Sequence, residues 1–288
     1  MSKFHYKSFL LTVLCCIAVA TMISACGSDD GIKYRYGVFL GASPDDLKYM
    51  DEYEKVVIDA QYFTSEEIAA LKDSGHTVYS YINLGSLEDF RPYYKDYEGI
   101  TLEVYENWEE EKWVDVSKAE WQSFVVDELA VNIINKGVDG LFVDNTDVYY
   151  HYPTDEIFDG VTNILKGFKN LDTYVIINGG DAYVTEYAKR NSELDSIMDA
   201  ENQETIFSKI NWDDETFTSN EKNETEYFQE YVGLVSGYGK DVYLLEYTTD
   251  SGLIRKIDDY CAEKGYTYYA SDKLELLAPA QKKGSQKK

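Results

Sequence analysis

Short, nearly continuous apolar runs alternate with longer amphipathic stretches along most of this chain. The runs fall at residues 36–40, 56–59, 77–84, 140–144, 174–178, 196–200, 242–246 and 266–270. Runs that stay apolar from one position to the next suit strands buried on both faces, as in a parallel sheet. Between them the pattern predicts helices over 65–74, 118–136, 158–169, 182–191, 224–238 and 251–264. The first opens Ser65-Glu66-Glu67 and stops before Gly75, which is cap chemistry at both ends. The second carries a Ser-x-x-Glu capping box in Ser117 and Glu120 and stops at Gly137. Eight strands alternating with helices is the count of a (β/α)8 TIM barrel, an α/β fold in one domain over residues 34–277. A doubly wound open sheet satisfies the same alternation and is the alternative.

Two connections are too long for simple turns, residues 85–115 after the third strand and 202–223 after the sixth. Both follow strands, so both belong on the face where α/β proteins build their sites. They are rich in aromatic residues: Phe90, Tyr93, Tyr94, Tyr97, Tyr105, Trp108 and Trp113 in one, Phe207, Trp212 and Phe217 in the other. Tyr149, Tyr150 and Tyr152 follow the fourth strand. Rings with an apolar face and a polar tip suit sugar binding, and about half of these are expected only to pack their own loops.

Two runs end in carboxylates just past an apolar stretch, Gly140-Leu-Phe-Val-Asp-Asn145 and Ser196-Ile-Met-Asp-Ala-Glu-Asn202. Asp144 and Glu201 are therefore expected to face one another across one pocket, the equipment of a glycoside hydrolase. Asp144, short and on the barrel wall, is the expected nucleophile. Glu201, with the longer reach, is the expected general acid/base. Other strand ends add Asp59, Tyr81, Asn83, Asn145, Asp147, Asn178, Glu246 and Tyr247, expected to hold sugar hydroxyls or an amino group. Burying so many polar groups costs heavily unless something uses them. His76 and His151 lie in no metal-binding spacing, and neither a metal nor another cofactor is expected. A nucleophile elbow G-x-S-x-G is absent. Gly179-Gly180 before a helix reads as a tight strand-to-helix turn.

The runs VVIDAQYFT, YSYINLG, GVDGLFVDNTDVY, VIINGG and MDAENQE, in that order, resemble the endo-α-1,4-polygalactosaminidase family of TIM-barrel hydrolases over about residues 36–271. The resemblance implies cleavage of α-1,4-linked galactosamine polymers by carboxylates at the ends of strands four and six, here Asp144 and Glu201. The third-strand motif departs from the pattern: Gly85 is followed by Ser86, and the acidic residue, Glu88, comes later. The alternatives are a non-catalytic polysaccharide-binding surface lipoprotein and a hydrolase of another α-linked glycan.

The start of the chain adds a location. Lys3 and Lys7 precede an apolar run, and Ser24-Ala25-Cys26 follows it, like a bacterial lipobox in which Cys26 is lipidated. Residues 1–25 are thus expected to be a signal peptide, 26–33 a tether, and 278–288 a disordered basic tail. The protein would be exported, anchored by lipid to the outer side of the cell membrane, and monomeric. The whole chain carries 27 basic and 53 acidic residues, a net −26; losing Lys3 and Lys7 takes this to −28. Such a surface repels phosphate, excluding a nucleic-acid partner, and attracts a cationic polysaccharide. Cys261 is left alone, so no disulfide framework is expected.

Overall fold

A computed structural model of the chain describes residues 31–277; the signal segment, Cys26 and the basic tail lie outside them. Eight parallel strands form one sheet in chain order: β1 Tyr34–Phe39, β2 Tyr53–Ile58, β3 Thr77–Asn83, β4 Gly140–Asp144, β5 Tyr174–Asn178, β6 Ala200–Glu204, β7 Asp241–Tyr247 and β8 Thr267–Ser271. The two outer strands come together, with the Phe39 and Tyr269 rings 5.4 Å apart and Gly41 N–H donating to the Leu276 carbonyl at 3.2 Å. The sheet is therefore a nearly closed barrel with helices outside it, not the open alternative.

The helices follow the apolar pattern and its caps. Thr64 and Glu67 form a capping box for Ser65–Asp73, and Gly265 ends Ser251–Lys264 in the left-handed conformation. The box expected at Ser117 does not form. Ser117 Oγ donates instead to Asp115 Oδ1 at 2.5 Å, and the helix starts at Ala119 without a side-chain cap. Its hydrogen bonding widens to a π-helical pattern over Phe124–Ala130.

The sixth strand is the larger correction. The apolar residues Ile197 and Met198 are buried in a turn, with both backbone N–H groups donating to the Leu194 carbonyl at 3.1 Å. The strand begins where the sequence pattern ends it, and it reads Ala-Glu-Asn-Gln-Glu. A strand this polar has no hydrophobic signature, because one face lines a polar barrel mouth and the other buries a carboxyl.

Inside the barrel, tyrosines form the floor beneath the mouth. Tyr36 stacks on Tyr243 with centroids 4.7 Å apart, and Tyr79 on Tyr174 at 5.5 Å. Much of the tyrosine content is thus core. Above the strands, the β3 excursion folds as a three-stranded antiparallel sheet of Ser86–Glu88, Glu111–Val114 and Thr101–Val104. The β6 excursion is a hairpin of Ser208–Asn211 and Thr216–Ser219. Gly85 starts the first: a Cβ there would sit 1.9 Å from the Asn145 carbonyl oxygen, so only glycine lets these two chain exits touch.

Candidate active site

A cavity of about 840 Å³ opens at the C-terminal ends of the barrel strands. Asp144 ends β4, Asn178 ends β5, Glu204 ends β6 and Tyr247 ends β7, and all four line it. The single nitrogen Asn178 Nδ2 donates to Asp144 Oδ1 at 2.9 Å and to Glu204 Oε1 at 2.8 Å. Those two bond lengths cap the separation of the accepting oxygens at about 5.7 Å, and the splay of an amide's two N–H bonds brings them to about 5 Å. Tyr247 Oη donates to the other Glu204 oxygen at 2.9 Å.

Asn178 is itself held from below. Its Oδ1 accepts from Asn202 Nδ2 at 2.6 Å, and Asn202 Oδ1 accepts from Tyr36 Oη at 3.0 Å. This chain orients the Asn178 amide so that both of its hydrogens reach the carboxylates. Burial pushes Asp144 well above the usual carboxylate range, and the neighbouring Glu204 adds to the rise. Glu204 is also raised by burial, against hydrogen bonds from Asn178 and Tyr247 that lower it. Two carboxyls this close titrate as a unit. Asn178→Ala removes a hydrogen bond that lowers both groups. The acid limb of the kcat/KM pH profile should therefore move to higher pH, with kcat down about 10²-fold; an unmoved limb would show that the bridge does not tune the pair.

Glu201 does not face Asp144. Side chains alternate along a strand, and β6 turns Asn202 to the barrel interior, which places Ala200 and Glu204 inward and Glu201 outward. Glu201 is fully buried against the helix layer, with the Tyr231 hydroxyl beside it and, among the described residues, no aligned hydrogen-bond partner for either oxygen. Glu246 is turned outward by the same alternation on β7. Its carboxylate ties down the start of the β6 excursion, accepting from Phe207 N–H at 3.0 Å, Ser208 N–H at 2.8 Å and Ser208 Oγ at 2.6 Å. Neither Glu201 nor Glu246 lines the cavity.

Asn83 is also outside the lining. It braces the β3 exit, with Nδ2 donating to Ser86 Oγ at 2.7 Å and Oδ1 accepting from Ser86 N–H at 2.8 Å. Asp59, Tyr81, Asn145 and Asp147 do reach the cavity. Asp59 is paired with Arg91 at 2.7 Å, and Arg91 also binds Glu88 at 2.8 Å, while Tyr81 Oη donates to Glu88. The displaced Glu88 is thus committed to a buried ion pair. Asn145 follows Asp144 at φ +65°, a conformation asparagine tolerates better than most residues, and donates to Ser86 Oγ at 3.1 Å. Asp147 accepts from Gly180 N–H at 3.3 Å and is pushed up to about 7 by burial and then by Asp181. Gly179 and Gly180, both left-handed, make the tight strand-to-helix turn; a Cβ on Gly180 would strike Thr146 Oγ1 at 1.9 Å.

The sequence pattern misses several wall residues. Glu204 is the most consequential, and counting the two-residue alternation from Asn202 would have found it. Glu111 comes from the β3 excursion, where Ser86 Oγ donates to it at 2.6 Å, and burial pushes it up to about 7. Asp181 accepts from Tyr227 Oη at the first turn of Asp181–Asn191. Trp108 and Trp212, from the two excursions, meet edge to face across the mouth with centroids 6.1 Å apart. Of the other loop aromatics, Phe90 and Tyr105 line the cavity, whereas Trp113 and Phe207 are core.

The fold has solved counterparts. The glycoside hydrolase domain of PelA from Pseudomonas aeruginosa superposes with a TM-score of 0.70 at 14% identity, covering 86% of this chain and 100% of that one. Aspergillus fumigatus Ega3 in complex with galactosamine superposes with a TM-score of 0.65 at 17% identity, covering 86% and 94%. In sequence, an uncharacterized protein of Thermotoga maritima is 23% identical over 221 residues, 69% of this chain and 64% of that protein. One from Methanocaldococcus jannaschii is 23% identical over 245 residues, 76% and 68% of the two chains. The model of glycoside-hydrolase family GH114 matches residues 31–276, the whole barrel with its two excursions, and the chain belongs to that family.

Proposed function

We propose that this protein is a glycoside hydrolase that cleaves α-1,4-linked galactosamine-containing polysaccharide, with Asp144 and Glu204 as its two carboxylates. The observation that carries this reading is the single amide nitrogen bridging both, which limits the oxygens to about 5.7 Å. That matches the close spacing of a retaining pair, about 5–5.5 Å, and is short of the roughly 6.5–9.5 Å an inverting enzyme needs for its water. Asp144, on the rigid strand end, attacks the anomeric carbon while Glu204 protonates the departing glycosidic oxygen. The resulting glycosyl ester is then hydrolysed by water that gives its proton to Glu204. Burial raises the pKa of Glu204, which favours the protonated form a general acid needs.

The substrate class is supported by charge and by the family. Nine carboxylate side chains line the cavity, and Arg91, tied to two of them, is the one basic residue among the described residues that line it. A polymer carrying ammonium groups is complementary to such a wall. Export and lipid anchoring at Cys26 belong to the same proposal, supported by the lipobox-like N-terminal sequence and by the need to meet a polysaccharide outside the cell. The test is to follow digestion of defined α-1,4-galactosamine oligosaccharides by NMR. The α-anomer should appear first, and KM should rise with added salt as charges beyond a Debye length are screened. First appearance of the β-anomer would overturn retention. A preference for fully N-acetylated polymer without salt dependence would overturn the cationic substrate.

A further inference from the structure

Three helices that follow β4, β5 and β6 meet beside the cleft mouth: Val148–His151, Asp181–Asn191 and Lys222–Gly237. Tyr149 and Tyr183 join the first two edge to face, with centroids 6.1 Å apart, and Tyr227 Oη joins the last two by donating to Asp181 Oδ2. On this rim Tyr150 is 67% exposed, the most of any large hydrophobic side chain among the described residues, and Tyr227 is 53% exposed. Both rings are held from behind. Tyr150 stands edge to face on His151 at 5.3 Å, and His151 packs at 4.5 Å on the buried Trp113. Tyr227 stands edge to face on Phe228 at 5.2 Å, and Phe228 lines the cleft. The Tyr227 hydroxyl is pushed up to about 12, first by its hydrogen bond to Asp181, and Tyr150 is among the neighbours that add to the rise, so the two tyrosines share one patch. Apolar surface left in water costs about 25 cal/mol for each Å². Braced rings also lose little freedom when a ligand covers them.

The charge on this rim has one sign. Asp181 and Asp147 both line the cleft, close enough that Asp181 raises Asp147. Among the described residues neither carboxylate belongs to an ion pair; the cleft's arginine, Arg91, is held by Asp59 and Glu88 instead. Asp181 gives Oδ2 to Tyr227, and its Oδ1 accepts from no described residue. One carboxylate oxygen is thus left for a ligand beside two exposed tyrosine rings. Rings take the apolar face of a sugar, and a carboxylate takes a charged donor such as an ammonium.

We propose that Tyr150, Tyr227 and Asp181 form a distal subsite for an amino-sugar unit of the same polysaccharide, where the chain leaves the cleft past Phe228. The apolar face of the sugar lies on the two rings, and its ammonium donates to Asp181 Oδ1. This rests on the polysaccharide reading above and adds to it a contact beyond the two units whose bond is cut, so affinity grows with chain length.

The test is calorimetric binding to the Asp144→Asn protein, in which turnover is removed. The probes are a deacetylated α-1,4-galactosamine disaccharide and longer oligosaccharides of the same sugar, across a salt series. Tyr150→Ala and Tyr227→Ala, at exposed positions, each remove one ring, and Asp181→Asn removes the charge. Either tyrosine change should weaken the long ligand about tenfold and the disaccharide less than about twofold. Asp181→Asn should weaken the long ligand by a similar factor and flatten the salt dependence of its affinity, which the tyrosine changes should leave alone. Undiminished binding of the long ligand by both tyrosine variants, or equal losses for long and short ligands, would overturn the subsite. Unchanged salt dependence in Asp181→Asn would overturn its pairing with an amine. A dimer that Tyr150→Ala dissolves, with sugar binding intact, would hand the rings to a second copy of the chain. Failure of the Asp144→Asn protein to bind any of these ligands, with the rim unaltered, would instead refute the polysaccharide reading, so the two failures are told apart.

Discussion

Glu204→Gln should reduce kcat about 10³-fold or more, whereas Glu201→Gln should stay near the wild-type rate. The two residues are three apart in sequence and on opposite faces of β6, one sharing Asn178 with Asp144, the other buried against the helix layer. Asp144→Asn should match Glu204→Gln in severity, because in the proposed double displacement neither carboxylate completes the reaction alone. Each change is near-isosteric and opens no cavity, so folding stability should move much less than activity. Measuring kcat for the three variants beside their unfolding midpoints checks this. Normal turnover by Glu204→Gln, or collapse of turnover in a well-folded Glu201→Gln, would return the acid/base role to the outward residue.

The protein should be more stable at pH 5 than at pH 8, by about 5 °C or more in its thermal midpoint. Ordinary carboxyls titrate near 4.3 in an unfolded chain. In the folded protein Glu246 is pushed up to about 7, chiefly by burial, and buried Glu201 is driven well above the usual range. Between about pH 4 and 7 the native state thus binds more protons than the unfolded one. Stability falls as pH rises through that window, by about 1.4 kcal/mol for each pH unit crossed and each buried carboxyl still protonated, and is level above it for Glu246. Self-repulsion from a net charge of −26 works in the same direction. Glu201→Gln, which cannot ionise, should narrow the difference. A midpoint that climbs from pH 5 to pH 8 would mean that these carboxyls are charged and compensated in the folded state.

How far the sequence can be read depends on what each residue's partners are. Gly140–Asp144 and Tyr174–Asn178 are legible to the residue because three or four apolar side chains in a row need a two-sided core, and helix Ser251–Lys264 is equally plain from its period and its Gly265 stop. The start of β6 is displaced by four residues because Ile197 and Met198, the apolar pair, pack in a turn. That displacement hides Glu204 in an apparent loop and brings Glu201 forward. Asn83 and Glu246 look like sugar ligands in the sequence, since a polar strand end reads the same whether it meets solvent, substrate or a backbone amide. The acidic β3 excursion is recognisable as long and aromatic, but the ion pairs joining Arg91 to Asp59 and Glu88 are not, because they join residues 32 apart as well as 3 apart.

What the chain determined by itself was the barrel, the face on which its site lies, Asp144 as one catalytic candidate, and the family to which it belongs. Periodicity and caps are local, and strand-end motifs survive in linear order, so these needed no coordinates. The partner of Asp144 was decided only in three dimensions. Strand register turns one glutamate of β6 into the cavity and its neighbour into the helix layer, a difference of one step in a two-residue period. The bridge through Asn178, its support by Asn202 and Tyr36, and the meeting of Asp181 with Tyr227 on the rim also come from closure of the barrel, which brings side chains from distant parts of the chain within hydrogen-bonding reach.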